Sequence, residues 1–142
     1  MVLLDGTRVA GEITATRATV QSVNSMVAGD VQSNEPVNFQ TGPDLFLSKV
    51  FLCGSSIGGD LVVQNSPSFG SINIGGPRCP NSLGNTIGGD VIDVNNRTGA
   101  NEPSHAVFNN RINGVLQCSG NVPPPVGSGN QATLKTGQCA AL

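Results

Sequence analysis

Ile57-Gly58-Gly59-Asp60-Leu61-Val62-Val63-Gln64-Asn65 and Ile87-Gly88-Gly89-Asp90-Val91-Ile92-Asp93-Val94-Asn95 match at nearly every position. Shorter versions of the phrase occur at Val9-Ala10-Gly11-Glu12-Ile13, Val27-Ala28-Gly29-Asp30-Val31 and Ile112-Asn113-Gly114-Val115-Leu116. The shared pattern is aliphatic, small or polar, glycine, acidic, aliphatic, and its constant member is the glycine. The glycines Gly11, Gly29, Gly59, Gly89 and Gly114 are 18, 30, 30 and 25 residues apart, which excludes a strict short-period array.

After each glycine the residues alternate as in a strand, with a step between Val91 and Val94 that a bulge would account for. Further short apolar runs follow at Ser71–Ile74 and His105–Phe108, and asparagines bracket them at Asn65, Asn95, Asn96, Asn109, Asn110 and Asn121. No segment carries a 3.6-residue apolar stripe with caps. The expected fold is therefore all-β: a single-domain β-solenoid over 1–142, in the form of a right-handed parallel β-helix. Its coils would run from about 5 to 117, with a C-terminal capping segment over 118–142. One coil cannot bury its inward residues alone; stacking makes a continuous core. The repeat glycines are expected at corners, where a φ above zero suits a residue without Cβ. An antiparallel sandwich or barrel is the competing fold, since it shares the short strands and turn signals.

Composition narrows the function classes. The 142 residues include 19 Gly, 9 Pro, five Phe, no Trp and no Tyr, and charged residues are only 11%. A net charge of -2 and the scarcity of aromatics exclude a nucleic-acid partner. The most apolar stretch, Leu45–Cys53, is short and contains Ser48 and Lys49, so membrane insertion is not expected. Met1 opens no signal peptide. Cys53, Cys79, Cys118 and Cys139 are even in number and widely spaced, and there is no C-x-x-C and a single histidine, so disulfides are expected rather than zinc. Of the three pairings, Cys53–Cys79 with Cys118–Cys139 is favoured. Bridges imply an oxidising compartment: secreted, extracellular or on the cell surface.

The phrases Asn85–Val91 and Arg111–Asn121, with Pro123-Pro124-Pro125, Gly129-Asn130 and Gly137-Gln138-Cys139, resemble a group of secreted actinobacterial repeat proteins. Those carry aliphatic-x-Gly-Asn/Asp-aliphatic repeats and a cysteine-bounded tail. The resemblance covers nearly the whole chain and implies secretion and a parallel β-helix; it supplies no reaction and no catalytic residues. The chain departs from the pattern at Val115, where the acid is missing, and in inserts between Asn34 and Phe46 and between Asn95 and His105.

The acids Asp30, Asp60 and Asp90 share one repeat position, with Glu12 before them. In register they form a column, and stacked carboxylates bind a cation such as calcium, or else hydrogen-bond nearby backbone N–H groups. The second reading is the plainer one, and no metal or other cofactor is expected. An enzyme reading, as a polysaccharide lyase or glycosidase, would use Asp60, Asp90, Asp93, Arg78, Arg97 and Arg111. The lack of stacking aromatics and the short chain speak against it. Ser104, His105 and Glu102 do not make a triad, because strand neighbours face opposite ways, and His105 is expected in a solvent-facing loop. Gly54–Gly59 precedes a strand rather than a helix and is no phosphate cradle. Thr14, Thr16 and Thr19 lie at one end only and do not extend into an ice-binding face.

The expectation is thus a non-catalytic structural solenoid: a rigid spacer, coat or adhesive module, self-associating end to end through Met1–Leu4. The alternatives are a module binding a glycan or a surface protein through Asn34–Leu45 and Asn95–His105, and the enzyme.

Overall fold

The computed structural model describes residues 1–37, 48–67, 70–99 and 104–142. Among these residues seventeen short strands follow one another: β1 Val2–Asp5, β2 Arg8–Val9, β3 Ile13–Thr16, β4 Val20–Val23, β5 Met26–Val27, β6 Val31–Asn34, β7 Ser48–Cys53, β8 Ser56–Ile57 and β9 Leu61–Gln64. Then come β10 Ser71–Ile74, β11 Thr86–Ile87, β12 Val91–Val94, β13 His105–Phe108, β14 Arg111–Ile112, β15 Val115–Ser119, β16 Val126–Ser128 and β17 Leu134–Gly137. A 3₁₀ turn, Pro80–Ser82, lies between β10 and β11.

The strands sort into three sheets with a simple rule. The first sheet is ordered β1-β4-β7-β10-β13-β16, the second β2-β5-β8-β11-β14, and the third β3-β6-β9-β12-β15-β17. The chain visits the sheets in turn, so that each circuit of three strands pairs with the circuit before it and the circuit after it. All of these pairings are parallel, which rules out the antiparallel sandwich for the described residues.

Register explains why the uneven glycine spacing is harmless. Val31, Leu61, Val91 and Leu116 are successive partners in the third sheet. Val27, Ile57, Ile87 and Ile112 are successive partners in the second. Extra residues are taken up in the connections, and the strands stay aligned. Inward columns of Val, Ile and Leu from all three sheets merge into one apolar cluster. A single circuit offers each such residue only one neighbour of its kind; stacking removes both faces from water, at about 25 cal/mol per Å².

Three expectations are corrected. No bulge occurs at Val91–Val94: the register with β9 and β15 is continuous, so Asp93 points inward and Val94 outward. The chain beyond Cys118 is more than a lid. β16 and β17 extend the first and third sheets by a further circuit, and Val2–Asp5 already belongs to the first one. The repeat glycines are not left-handed, since none of Gly11, Gly29, Gly59, Gly89 and Gly114 has a positive φ. They are needed for space. A Cβ on Gly59, Gly89 or Gly114 would overlap Oδ1 of Asp30, Asp60 or Asp90 from the circuit before.

Both disulfides form as favoured, Cys53–Cys79 and Cys118–Cys139. The first ties the connection after β10 to β7. The second joins β15 to the chain end, where Cys139 is buried and Leu142 packs on the core.

Candidate functional site

Among the described residues, ladders of polar side chains line the three corners between sheets. Between the second and third sheets, Asp30 Oδ1 accepts the backbone N–H of Asp60 at 2.9 Å, and Asp60 Oδ1 that of Asp90 at 2.8 Å. Asp90 Oδ1 accepts the N–H of Val115 at 2.8 Å. The missing acid at Val115 is thereby explained, since the last member of this ladder need only donate. The column is real, and its Oδ1 oxygens are spent on backbone donors. Among the described residues no group of three or more His, Cys, Asp or Glu is placed to hold a metal.

A second ladder lies between the first and second sheets. Asn85 Oδ1 accepts the N–H of Ser55, and Asn110 Oδ1 accepts the N–H of Asn85 at 2.9 Å. Asn130 Oδ1 accepts the N–H of Asn110 at 3.1 Å. The amide nitrogens of Asn85, Asn110 and Asn130 donate to Leu52, Ile74 and Val107 carbonyls. A third ladder closes the corner between the third and first sheets. Asn96 Oδ1 accepts from Ser66, Asn121 Oδ1 from Asn96, and Gln138 Oε1 from Asn121. Each rung satisfies backbone groups that a turn would otherwise leave buried and unpaired.

The sequence carried a signal for these ladders that pattern reading missed. Among the described residues, dipeptides at the corners pair a residue of positive φ with a buried polar one, as in Asn24-Ser25, Gly54-Ser55, Asn65-Ser66, Asn95-Asn96, Asn109-Asn110, Gly120-Asn121 and Gly129-Asn130. The first residue turns the corner and the second becomes the rung. Asn and Gly tolerate the left-handed region at least cost.

One polar group lies deeper. Asp93 occupies an inward column between Val63 and Cys118, and His105 follows Val50 and Ile72 in another. Their side chains are fully buried, and His105 Nε2 stands 2.7 Å from Asp93 Oδ2. Asn96 Nδ2 donates to Asp93 Oδ1 at 2.7 Å. Asn96 in turn accepts from Ser66, whose hydroxyl receives Lys49 Nζ at 2.6 Å. Lys49 also donates to the Arg97 carbonyl at 2.9 Å. It is the extra residue where β7 shifts register against β10, and the bulge turns its side chain inside. Burial pushes the Lys49 ammonium down to about 8. Lys49, Ser66, Asn96, Asp93 and His105 thus form one buried chain across three circuits.

His105 was expected in solvent, and that expectation fails. Its strand pairs in register with β10, and the phase that makes Ile72 inward makes His105 inward too. Of the residues named for an enzyme reading, Asp93 alone meets the histidine. Asp60 and Asp90 belong to the aspartate ladder, Arg111 is exposed on β14, and Arg97 contributes a backbone carbonyl. Arg78 Nη1 approaches Ser71 Oγ at 3.4 Å. Ser104 Oγ lies 3.3 Å from Thr98 Oγ1, while Glu102 is outside the described residues.

No protein-family model, curated protein or solved structure matches the chain.

Proposed function

We propose that this chain is a right-handed β-solenoid that serves as a non-catalytic structural module, secreted or held at a cell surface. One observation carries the reading. The residues that could do chemistry, the aspartates and amides above all, are consumed as rungs between circuits. A protein organised this way spends its polar side chains on holding its shape. The two disulfides suit an oxidising compartment. No helix among the described residues is long and apolar enough to cross a membrane. The resemblance to secreted actinobacterial repeat proteins points the same way.

End-to-end association is the specific form of this proposal. β1, β2 and β3 are the terminal strands of their sheets at one end, and Met1 and Leu3 there are 58% and 59% exposed. β16 and β17 are terminal at the other. An unpaired strand edge is a template for another chain, and contact that does not close yields a fibre. Light scattering over a wide concentration range tests this, together with electron microscopy of the concentrated protein. Growth of particles with concentration is expected. A monomer throughout contradicts self-assembly. Release of the disulfide-bonded chain by protease shaving of intact source cells is expected of a surface module; recovery only from the cytosol with reduced cysteines overturns it.

The binding-module alternative rests on Asn34–Leu45 and Asn95–His105, of which 38–45 and 100–103 lie outside the described residues.

A further inference from the structure

We propose that Asn113–Gly114 is a latent deamidation site, held shut by the stacked circuits and released to react when the fifth circuit opens. The chain contains one Asn-Gly dipeptide, and it falls at the corner between β14 and β15. The equivalent places in the earlier circuits hold Ala10, Ala28, Gly58 and Gly88. The corner therefore asks for no amide here. Asn113 is exposed, and its side chain makes no hydrogen bond among the described residues, unlike the rungs Asn85, Asn110 and Asn130. The glycine after it is fixed by the fold, because a Cβ there would meet Asp90 Oδ1. A free carboxamide thus stands directly before the residue that hinders attack on it least.

The reaction needs only water and hydroxide. The backbone nitrogen of Gly114 gives its proton to hydroxide and bonds to Cγ of Asn113. The Cγ–Nδ2 bond breaks, and ammonia leaves with a proton from water. Water then opens the five-membered imide. Breaking the new Cγ–N bond gives aspartate. Breaking the bond from Gly114 N to the Asn113 carbonyl carbon gives isoaspartate, whose main chain runs through Cβ and Cγ.

In the folded chain the nucleophile is not free. Asn113 N–H donates to the Ile87 carbonyl at 3.0 Å, Gly114 N–H to the Gly89 carbonyl at 3.0 Å, and Val115 N–H to Asp90 Oδ1 at 2.8 Å. From the other side Thr133 donates twice, through Oγ1 to the Asn113 carbonyl at 2.7 Å and through N–H to the Gly114 carbonyl at 2.9 Å. The circuit before and the circuit after both grip this peptide unit. Turning Gly114 N onto Cγ releases that grip, so the reaction runs through an opened form, as amide exchange does. An isoaspartyl product cannot restack. It puts one extra main-chain atom between Ile112 and Leu116, which otherwise pair in step with Ile87 and Val91. A single opening thereby becomes permanent.

The test follows deamidation of the full disulfide-bonded chain at pH 8, folded and in guanidinium chloride. Mass spectrometry reads the tryptic peptide 112–135 after reduction, and fragmentation places the change. The folded chain should react at least about tenfold more slowly than the unfolded one, following the population of the opened form. Equal rates, or no reaction at Asn113 in the unfolded chain, overturn the proposal. Asp90→Ala, which removes one grip, should speed the reaction in the folded chain; an unchanged rate overturns it. If that variant does not fold, amide exchange of Gly114 and Val115 in the native chain decides: slow exchange is expected, and exchange at the unfolded rate overturns the proposal. After long unfolding, the refoldable fraction should fall in step with isoaspartate, while Asn113→Ala refolds in full. An isoaspartyl chain that regains the native unfolding midpoint overturns the permanent step.

Discussion

Asp60 Oδ1 accepts the backbone N–H of Asp90 at 2.8 Å, and the same oxygen fills the space that a Cβ on Gly89 would need. Acid and glycine are therefore one device, shared between consecutive circuits. Gly89→Ala should cost about 2–3 kcal/mol, because the ladder oxygen must move. Asp60→Ala should cost about 1–2 kcal/mol for the lost bond to a backbone donor. Combined, the two should cost less than their sum, since the colliding atom has gone. Gly88→Ala provides the contrast. Its Cβ would strike the backbone carbonyl of Gly58, which no side-chain truncation removes. Urea unfolding of the four variants checks this; additivity in the first pair contradicts the shared device.

The asparagine ladder should be sensitive at its middle. Asn110 accepts from the N–H of Asn85 and donates to the Ile74 carbonyl and to Asn130. Asn110→Ala leaves two buried backbone groups unpaired, and a loss of about 3 kcal/mol is expected. Asn109→Gly should cost far less, because glycine keeps the positive φ and only the exposed bond from Asn109 Nδ2 to the Ser82 carbonyl is lost. Thermal unfolding of both separates the rung from the turn.

Much of this architecture is legible in the residues. The repeated Gly-Asp phrase marks the strand start in each circuit, and the cysteine spacing pairs the bridges. The role of the glycine was misread, because a small residue at a bend suggests φ above zero as readily as a close approach. The difference lies in what the neighbouring circuit places there, and no single repeat contains that. The interior histidine was hidden for a related reason. Glu102-Pro103-Ser104 before it reads as a loop, while the phase of His105 is set by pairing with Ile72, more than thirty residues earlier. A bulge is expected from the sequence between Val91 and Val94, and only unbroken register with Val63 and Cys118 turns Asp93 inward. The ladders were written as Asn-Asn and Gly-Ser pairs that also serve as ordinary turn chemistry.

Lys49 predicts an unusual alkaline behaviour. Burial lowers its folded value from 10.5 to about 8. Between those values the unfolded chain binds the extra proton, so stability should rise as pH increases from 8 to 10.5 and level off above. Lys49→Met should flatten that window. A native profile that falls steadily over the same range contradicts the burial of this ammonium.

The two bridges should contribute similarly, since their sequence separations are 26 and 21. Removing either as a paired Cys→Ala change should cost about 3 kcal/mol. The consequences differ in place. Without Cys118–Cys139, amide exchange should quicken first in β17 and β15; without Cys53–Cys79, in the connection between β10 and β11. Hydrogen exchange read by mass spectrometry distinguishes them.

The measurement that bears most directly on stacked parallel circuits is a set of interstrand NOEs in a ¹⁵N,¹³C-labelled sample. Contacts between Leu61 and Val91, Val62 and Ile92, and Gln64 and Val94 should appear together, all with the same sequence difference of 30. Contacts whose residue numbers instead keep a constant sum would mean antiparallel strands, and the circuits and ladders described above would be wrong.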